Sequence, residues 1–240
     1  MTVNSRAGGV PARIPPAVAR SVREVVLGVN DGLVSITGIL VGVTASRMAL
    51  HQVLIAGWAA VVAATLSMAL GTYLSVSAQN EFFRAQKARE VYEVHTVPHE
   101  ERQEVAGIYR AQGFTPEQVD WLTAHTTADP ERWVDFMMRH EIGIVLDSLD
   151  SPWHAALVMA AAVLGGALPP LLPFLLAPST GAALPWAIAL AVLTAFGLGA
   201  VKAVVAGSGP WRSGVQFVLA IAAAVLGGAA GGHLLGQWLG

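Results

Sequence analysis

Residues Val25 to Val43 read VVLGVNDGLVSITGILVGV, nineteen residues with one formal charge. As a helix this run rises about 28 Å at 1.5 Å per residue, close to the roughly 30 Å of a bilayer's hydrocarbon core. A carboxylate at that depth costs about 2.5 to 3.5 kcal/mol on insertion scales and usually marks an ion or proton path. Asp31 therefore has two readings. It serves such a path, or it sits near the membrane surface, held by Asn30 or an arginine for packing alone.

Working outward, four more blocks of this length follow: about 53–76, 155–175, 185–206 and 215–239. The chain is 54% hydrophobic and 12% charged, with mean hydropathy +0.57, more apolar than a soluble domain of 240 residues requires. These numbers predict an all-α polytopic membrane protein with five transmembrane helices. The first block lies too far from Met1, and lacks the small-residue cleavage site, to be a removable signal peptide. There is no cysteine, which excludes disulfides, zinc thiolate sites and thiol catalysis.

Charge orients the spans. Arg6, Arg13, Arg20 and Arg23 precede the first, Lys202 and Arg212 flank the turn between the fourth and fifth, and the opposite side carries only Arg47. The positive-inside rule then puts the N-terminus and the long central segment in the cytoplasm and the C-terminus outside. The expected division is 1–22 as a cytoplasmic N-terminal segment, 23–80 as spans one and two, 81–153 as a cytoplasmic insert, and 154–240 as spans three to five.

The insert holds 14 of the 16 acidic residues and seven of the 14 lysines and arginines, a net charge of minus seven. It also carries helix signals. Thr115 before Pro116 and Asp129 before Pro130 are helix starts, and Val105, Ile108 and Tyr109, like Trp133, Phe136 and Met137, recur at helical spacing. Three short helices are expected. Span two meets no Gly or Pro between Val76 and Val94 and continues as one helix until Pro98.

Two polar stripes follow from 100° per residue. Glu24, Gly28, Asp31, Ser35, Gly38, Gly42 and Ser46 share one side of span one, while Met68, Thr72, Ser75, Gln79, Gln86, Glu90 and Glu93 share one side of span two. Stripes of small and polar residues pack on other helices or line a water path rather than face lipid. The GGAAGG at Gly227 is a third such surface, suited to helix packing or subunit contact.

In the insert, Glu90 with Glu93 and Glu101 with Glu104 are i, i+3 pairs on one helix face each. Met138 and Glu141 repeat that spacing, with Met137 one turn before Glu141. Exposed glutamates at helical spacing are often only a solvated face, and methionine is a common core filler. Carboxylates with thioethers suit a divalent ion of intermediate softness such as Fe(II), and suit Mg(II) poorly. His95 and His99 are separated by Pro98, and His140 points away from Met138 and Glu141. No Glu-x-x-His pair of the di-iron carboxylate type occurs, nor a phosphate-cradling loop for ATP.

REVVLGVNDGLVSITGILVGV (23–43), SMALGTYLSVSAQNE (67–81), WVDFMMRHEIGI (133–144) and GSGPWRSG (207–214) resemble, in order and spacing, the vacuolar iron transporter family of Fe(II) and Mn(II) exporters. The resemblance runs from about Arg23 to Gly240. It implies five membrane helices per subunit, a homodimer with the ion path near the subunit interface, and a cytoplasmic three-helix metal-binding domain between helices two and three. It further implies exchange of a cytosolic divalent metal for protons. Carried over by motif, Asp31 and Met68 line the path, and Glu90, Glu93, Glu101, Glu104, Met137, Met138 and Glu141 collect metal. One departure stands out: where the family commonly reads GEYVS, this chain has GTYLS, with Thr72 in place of a glutamate.

The expectation is a proton-coupled antiporter, not an enzyme, exporting Fe(II) with Mn(II) as a second candidate, along Asp31, Ser35, Met68, Thr72 and Ser75. It has no prosthetic group. The ligand types do not rank Fe(II), Mn(II), Co(II) and Zn(II). Its partners are the divalent ion, a second copy and the bilayer, with no nucleic acid; the absence of a targeting segment suits a bacterial plasma membrane. The competing expectation is a membrane-anchored metal buffer or sensor without transport. A proton-coupled carrier for an organic substrate is a third.

Overall fold

The computed structural model of the chain describes residues 16–143 and 151–239. Arg6 and Arg13 of the N-terminal segment, and Asp147 and Asp150 of the insert, lie outside the described residues. Eight helices account for nearly all the rest: α1 (Pro16–Ala45), α2 (Leu50–Thr96), α3 (Pro98–Ala111), α4 (Pro116–Thr127), α5 (Pro130–His140), α6 (Pro152–Leu176), α7 (Thr180–Val205) and α8 (Pro210–Leu239).

Proline sets most of the boundaries. Five of these helices, α3, α4, α5, α6 and α8, open on one, at the position where a missing N–H costs nothing and the fixed φ is already helical. The short helices are also capped: Thr115 and Gln118 form a reciprocal capping box on α4, and Asp129 accepts from the Arg132 N–H at 2.9 Å on α5. α6, α7 and α8 start three to five residues before the apolar blocks read from composition, because Pro152, the Ser179 cap and Pro210 start the helices before the hydropathy rises. Pro169, Pro170 and Pro173 stay inside α6 and do not end it.

Five helices, α1, α2, α6, α7 and α8, are long and apolar enough to cross a membrane. At 47 residues α2 is about 70 Å long, more than twice the hydrocarbon thickness. Its formal charges begin only at Glu81, so its apolar first part is the membrane-length portion and Glu90 lies well past it. The chain divides into two compact units, one formed by residues up to Thr72 with those from Trp153 onward, the other by Tyr73–Pro152.

In the first unit α1 is the central element, and its glycines explain why. A Cβ on Gly32 would collide with the Val163 carbonyl oxygen of α6, and one on Gly166 with the backbone of Val29 of α1. Further along, Gly38 faces Ala224 and Gly228 of α8, and Gly42 faces Gly228 and Gly232. Residue numbers rise together in both pairings, so α6 and α8 run parallel to α1. α7 pairs with α8 in the opposite sense, Phe196 against Gly214 and Gly199 against Ser213. Ser46 Oγ lies 2.9 Å from the Gly232 carbonyl and 3.0 Å from that of Gly42, closing the α1 to α8 seam. Larger residues fill what remains: Ile36, Leu40, Val53, Val61, Leu171 and Phe174 form one core of α1, α2 and α6.

Sequence periodicity treats the α1 stripe as one surface. The structure divides it: Gly28 meets Met159 and Ala162 of α6, while Gly38, Gly42 and Ser46 meet α8. The GGAAGG run is divided too. Gly228 and Gly232 pack within the chain, whereas Gly227 and Gly231 face open space.

The second unit is built on the end of α2. Val94, Val105, Trp133, Val134, Met137 and Met138 form its core, with Phe83, Ile108, Tyr109 and Phe136 at the edge. Tyr109 ties α3 to α4 through a 2.8 Å bond between its hydroxyl and that of Thr126.

Candidate functional site

The acidic side chains of the second unit converge from three helices. Glu90 and Glu93 sit near the end of α2, Glu101 lies in the first turn of α3 with Glu104 one turn on, and Glu141 is the C-terminal cap of α5. Pro98 breaks the chain just where α3 must start afresh, placing Glu101 at a helix N-terminus, where the dipole favours negative charge. Glu90 is 3% exposed and Glu101 6%. Glu93 is half-buried, and Glu104 and Glu141 are exposed.

Carboxylates so placed repel one another. Burial, and then the charges of Glu101, Glu141 and Glu93, push the Glu90 carboxyl up to about 8. Burial likewise raises Glu101, with Glu104, Glu93 and Glu141 adding to it, while a hydrogen bond from Glu90 pulls it back. A carboxyl at about 8 favours its protonated form at neutral pH, and the hydrogen bond between Glu90 and Glu101 adds to that preference. Glu141 is raised by burial and by Glu104 and Glu93, against the opposing charge of Arg89. Glu90 Oε1 and Glu101 Oε2 are buried without a hydrogen-bond partner, a cost that only a proton, a water or a cation removes.

The five carboxyls therefore act on one another as a set, which is the arrangement a divalent cation neutralises. Among the described residues no three His, Asp or Glu side chains stand in a geometry that could hold a metal ion. Mutual repulsion explains the spacing, since Glu93, Glu104 and Glu141 have solvent to retreat into.

Met137 and Met138 are fully buried. They pack with Val94, one turn beyond Glu90, and Val105, one turn beyond Glu101, so the thioethers belong to the core immediately behind the two buried carboxyls. Histidines take no part: His95 Nδ1 lies 2.6 Å from the Val91 carbonyl, His99 bonds Gln103, and His140 stacks on Phe136. One contributor escaped the sequence reading. Arg89 Nε donates to Glu93 Oε1 at 2.9 Å, and the i, i+4 spacing was the available signal.

In the first unit, Ser35 Oγ donates to Asp31 Oδ1 at 3.4 Å, and both residues are half-buried. They occupy the edge of α1 between the Gly28 contact with α6 and the Gly38 contact with α8. Two turns before Asp31 on that edge, Glu24 is buried and bonded to Arg23 at 3.1 Å. Met68 and Thr72 are half-buried on α2 and Ser75 is exposed.

Comparison with known proteins places the chain in a family. The profile of a family described as the VIT family matches residues 22–233. "Vacuolar iron transporter 1" of Arabidopsis thaliana is 32% identical over 205 residues, covering 85% of this chain and 82% of its own length. "Vacuolar iron transporter 2" of Oryza sativa subsp. japonica is 30% identical over 81% of this chain and 79% of its own. A "Vacuolar iron transporter" of Toxoplasma gondii is 31% identical over 80% of this chain and 67% of its own.

Proposed function

The chain belongs to the VIT family, and from that premise we propose that it exports Fe(II), with Mn(II) as a second cargo, from the cytoplasm in exchange for protons. Members of the family are transporters and not enzymes. In this reading α1, α6 and α8 cross the bilayer in one direction and α2 and α7 return. The basic residues Arg23, Lys202 and Arg212 lie on the cytoplasmic side, with the N-terminus and residues 81–153, and the C-terminus lies outside. A second copy covers the half-exposed edge of α1 that carries Asp31 and Ser35.

The observation that carries the proposal is the buried pair Glu90 and Glu101, each with a carboxyl oxygen that has no partner among the described residues, with three further carboxyls acting on it. An arriving divalent ion replaces the Glu90 proton and relieves the repulsion, drawing Glu93, Glu104 and Glu141 inward. Met137 and Met138 lie behind the pair as soft ligands. The ion then follows the Met68, Thr72 and Ser75 flank of α2 to Asp31, where Ser35 holds the carboxylate. A proton arriving from outside neutralises Asp31 and discharges the ion outward. With Thr72 in place of a glutamate, Asp31 is the one acidic group deep in the proposed path.

Because all seven candidate ligands lie in the second unit, a membrane-anchored metal buffer or sensor accounts for binding equally well. Flux separates the two. Purified protein in liposomes, given Fe(II) on the side of the insert and an opposing pH gradient, moves metal and protons in opposite directions if it is an antiporter. Stoichiometric binding with no flux establishes the buffer instead.

A further inference from the structure

At the end of the first unit where α7 finishes and α8 begins, α1, α7 and α8 line an open, shallow cleft of about 540 Å³. Its polar lining is Arg23 and Asn30 of α1, Lys202 of α7 and Gln216 of α8; Leu27 and Phe217 supply apolar wall. Lys202 sits in the last turn of α7 and holds its ammonium 5.6 Å from the Phe217 ring centroid. Arg23 is 79% exposed, and the buried Glu24 carboxylate holds one edge of its guanidinium at 3.1 Å. The other donors of that planar group are left for a second acceptor.

The charges add up to a preference. Arg23, Lys202 and Glu24 sum to one net positive charge. Two neutral amides, Asn30 and Gln216, add hydrogen-bonding capacity, and the apolar wall lies beside them. The basic groups lie near the ends of helices long and apolar enough to cross a membrane. The cleft also stands apart from the proposed ion path, because Arg23, Leu27 and Asn30 point roughly 100° around α1 from Gly28, Asp31 and Ser35.

We propose that this cleft seats an anionic phospholipid. Its singly charged phosphodiester lies between Arg23 and Lys202, its head-group hydroxyls face Asn30 and Gln216, and an acyl chain runs along Leu27 and Phe217. Basic pockets between membrane helices on the cytoplasmic side favour such head groups. The proposal rests on the reading that the five long helices cross a bilayer, and that premise has its own check: resistance of the full-length protein to alkaline extraction from membranes.

The experiment is native mass spectrometry of the full-length protein in neutral detergent, titrated with phosphatidylglycerol, phosphatidylcholine or inorganic phosphate. The parent binds one phosphatidylglycerol per chain in preference to phosphatidylcholine, and inorganic phosphate does not displace it at equal concentration. Each basic group near the membrane surface is worth roughly fivefold in affinity. Arg23→Gln and Lys202→Gln each weaken binding about that much and together about 25-fold, while Arg212→Gln, outside the cleft, leaves it unchanged. The variants' unfolding temperatures without lipid must match the parent's, and Arg23→Lys restores most of the affinity if charge is what counts. Equal binding of the two lipids, displacement by phosphate alone, or parent-like affinity in the double variant overturns the proposal. So does a second copy that excludes lipid from the cleft.

Discussion

The two acidic regions solve opposite problems. Around Glu90 and Glu101, five carboxyls from three helices crowd together, two of them buried with unpartnered oxygens. Around Asp31 a single carboxylate meets one hydroxyl, in a stretch of α1 that is otherwise locked glycine to backbone against α6 and α8. Crowding makes a site that a divalent ion stabilises strongly, because binding removes repulsion as well as adding ligands. A lone carboxylate makes a weak site, and conduction needs an ion held weakly enough to leave. In the function proposed above, the acidic unit gathers metal and Asp31 passes it on.

The largest expected effect comes from breaking the rigid side of this contrast. A Cβ on Gly228 would meet the backbone of Gly38, and one on Gly232 that of Gly42, each far inside van der Waals contact. Gly228→Val or Gly232→Val should force α8 from α1 and cost about 3 kcal/mol or more, read as a lower unfolding temperature in detergent. Gly231→Ala, which meets nothing within 4 Å, should leave that temperature unchanged.

Next in size is the crowded side. Glu90→Gln with Glu101→Gln keeps shape and removes the two buried acids, and should weaken Fe(II) binding by about 10- to 100-fold, as loss of metal-site groups commonly does. It should also raise the metal-free unfolding temperature at pH 8 while leaving it little changed at pH 5. The sign follows from Glu90. Its carboxyl is raised to about 8 in the fold from an unfolded value near 4.5, so the stability of the neutral form is complete below the unfolded value. It is lost as pH climbs through about 8.

The same proton governs metal affinity. Since an ion must displace it, Fe(II) binding should strengthen up to about tenfold per pH unit between pH 6 and 8 and level off above that, measured by titration calorimetry under anaerobic conditions. A flat profile would mean that Glu90 is no ligand. The smallest effect belongs to Arg89, whose exposed bond to Glu93 would compete with a metal in the proposed site. Arg89→Gln should tighten binding by only about twofold, as expected of a surface ion pair.

Much of this was legible in the sequence, and the exceptions have physical reasons. Apolar length located the long helices, and proline located most starts, because both act through the local backbone. Pro169, Pro170 and Pro173 misbehave as breakers only because α6 is held on both sides by neighbours. Spacing placed Gly28, Asp31 and Gly38 on one side of α1, but periodicity reports an angle and cannot say which helix occupies it. Spacing also paired Glu90 with Glu93 and Glu101 with Glu104. It could not show that Glu90 and Glu101 alone are buried, or that Glu141, past the end of α5, joins them, since both depend on how three helices pack.

The division of labour between the two regions is tested most directly by Fe(II) flux into proteoliposomes across a range of metal concentrations. Asp31→Asn should abolish flux at every concentration while Fe(II) binding to the acidic unit stays as in the parent. Glu90→Gln with Glu101→Gln should instead raise the half-saturating concentration and leave maximal flux within about twofold, as expected when initial binding rather than passage is lost. Transport by Asp31→Asn at the parent's rate would contradict the account.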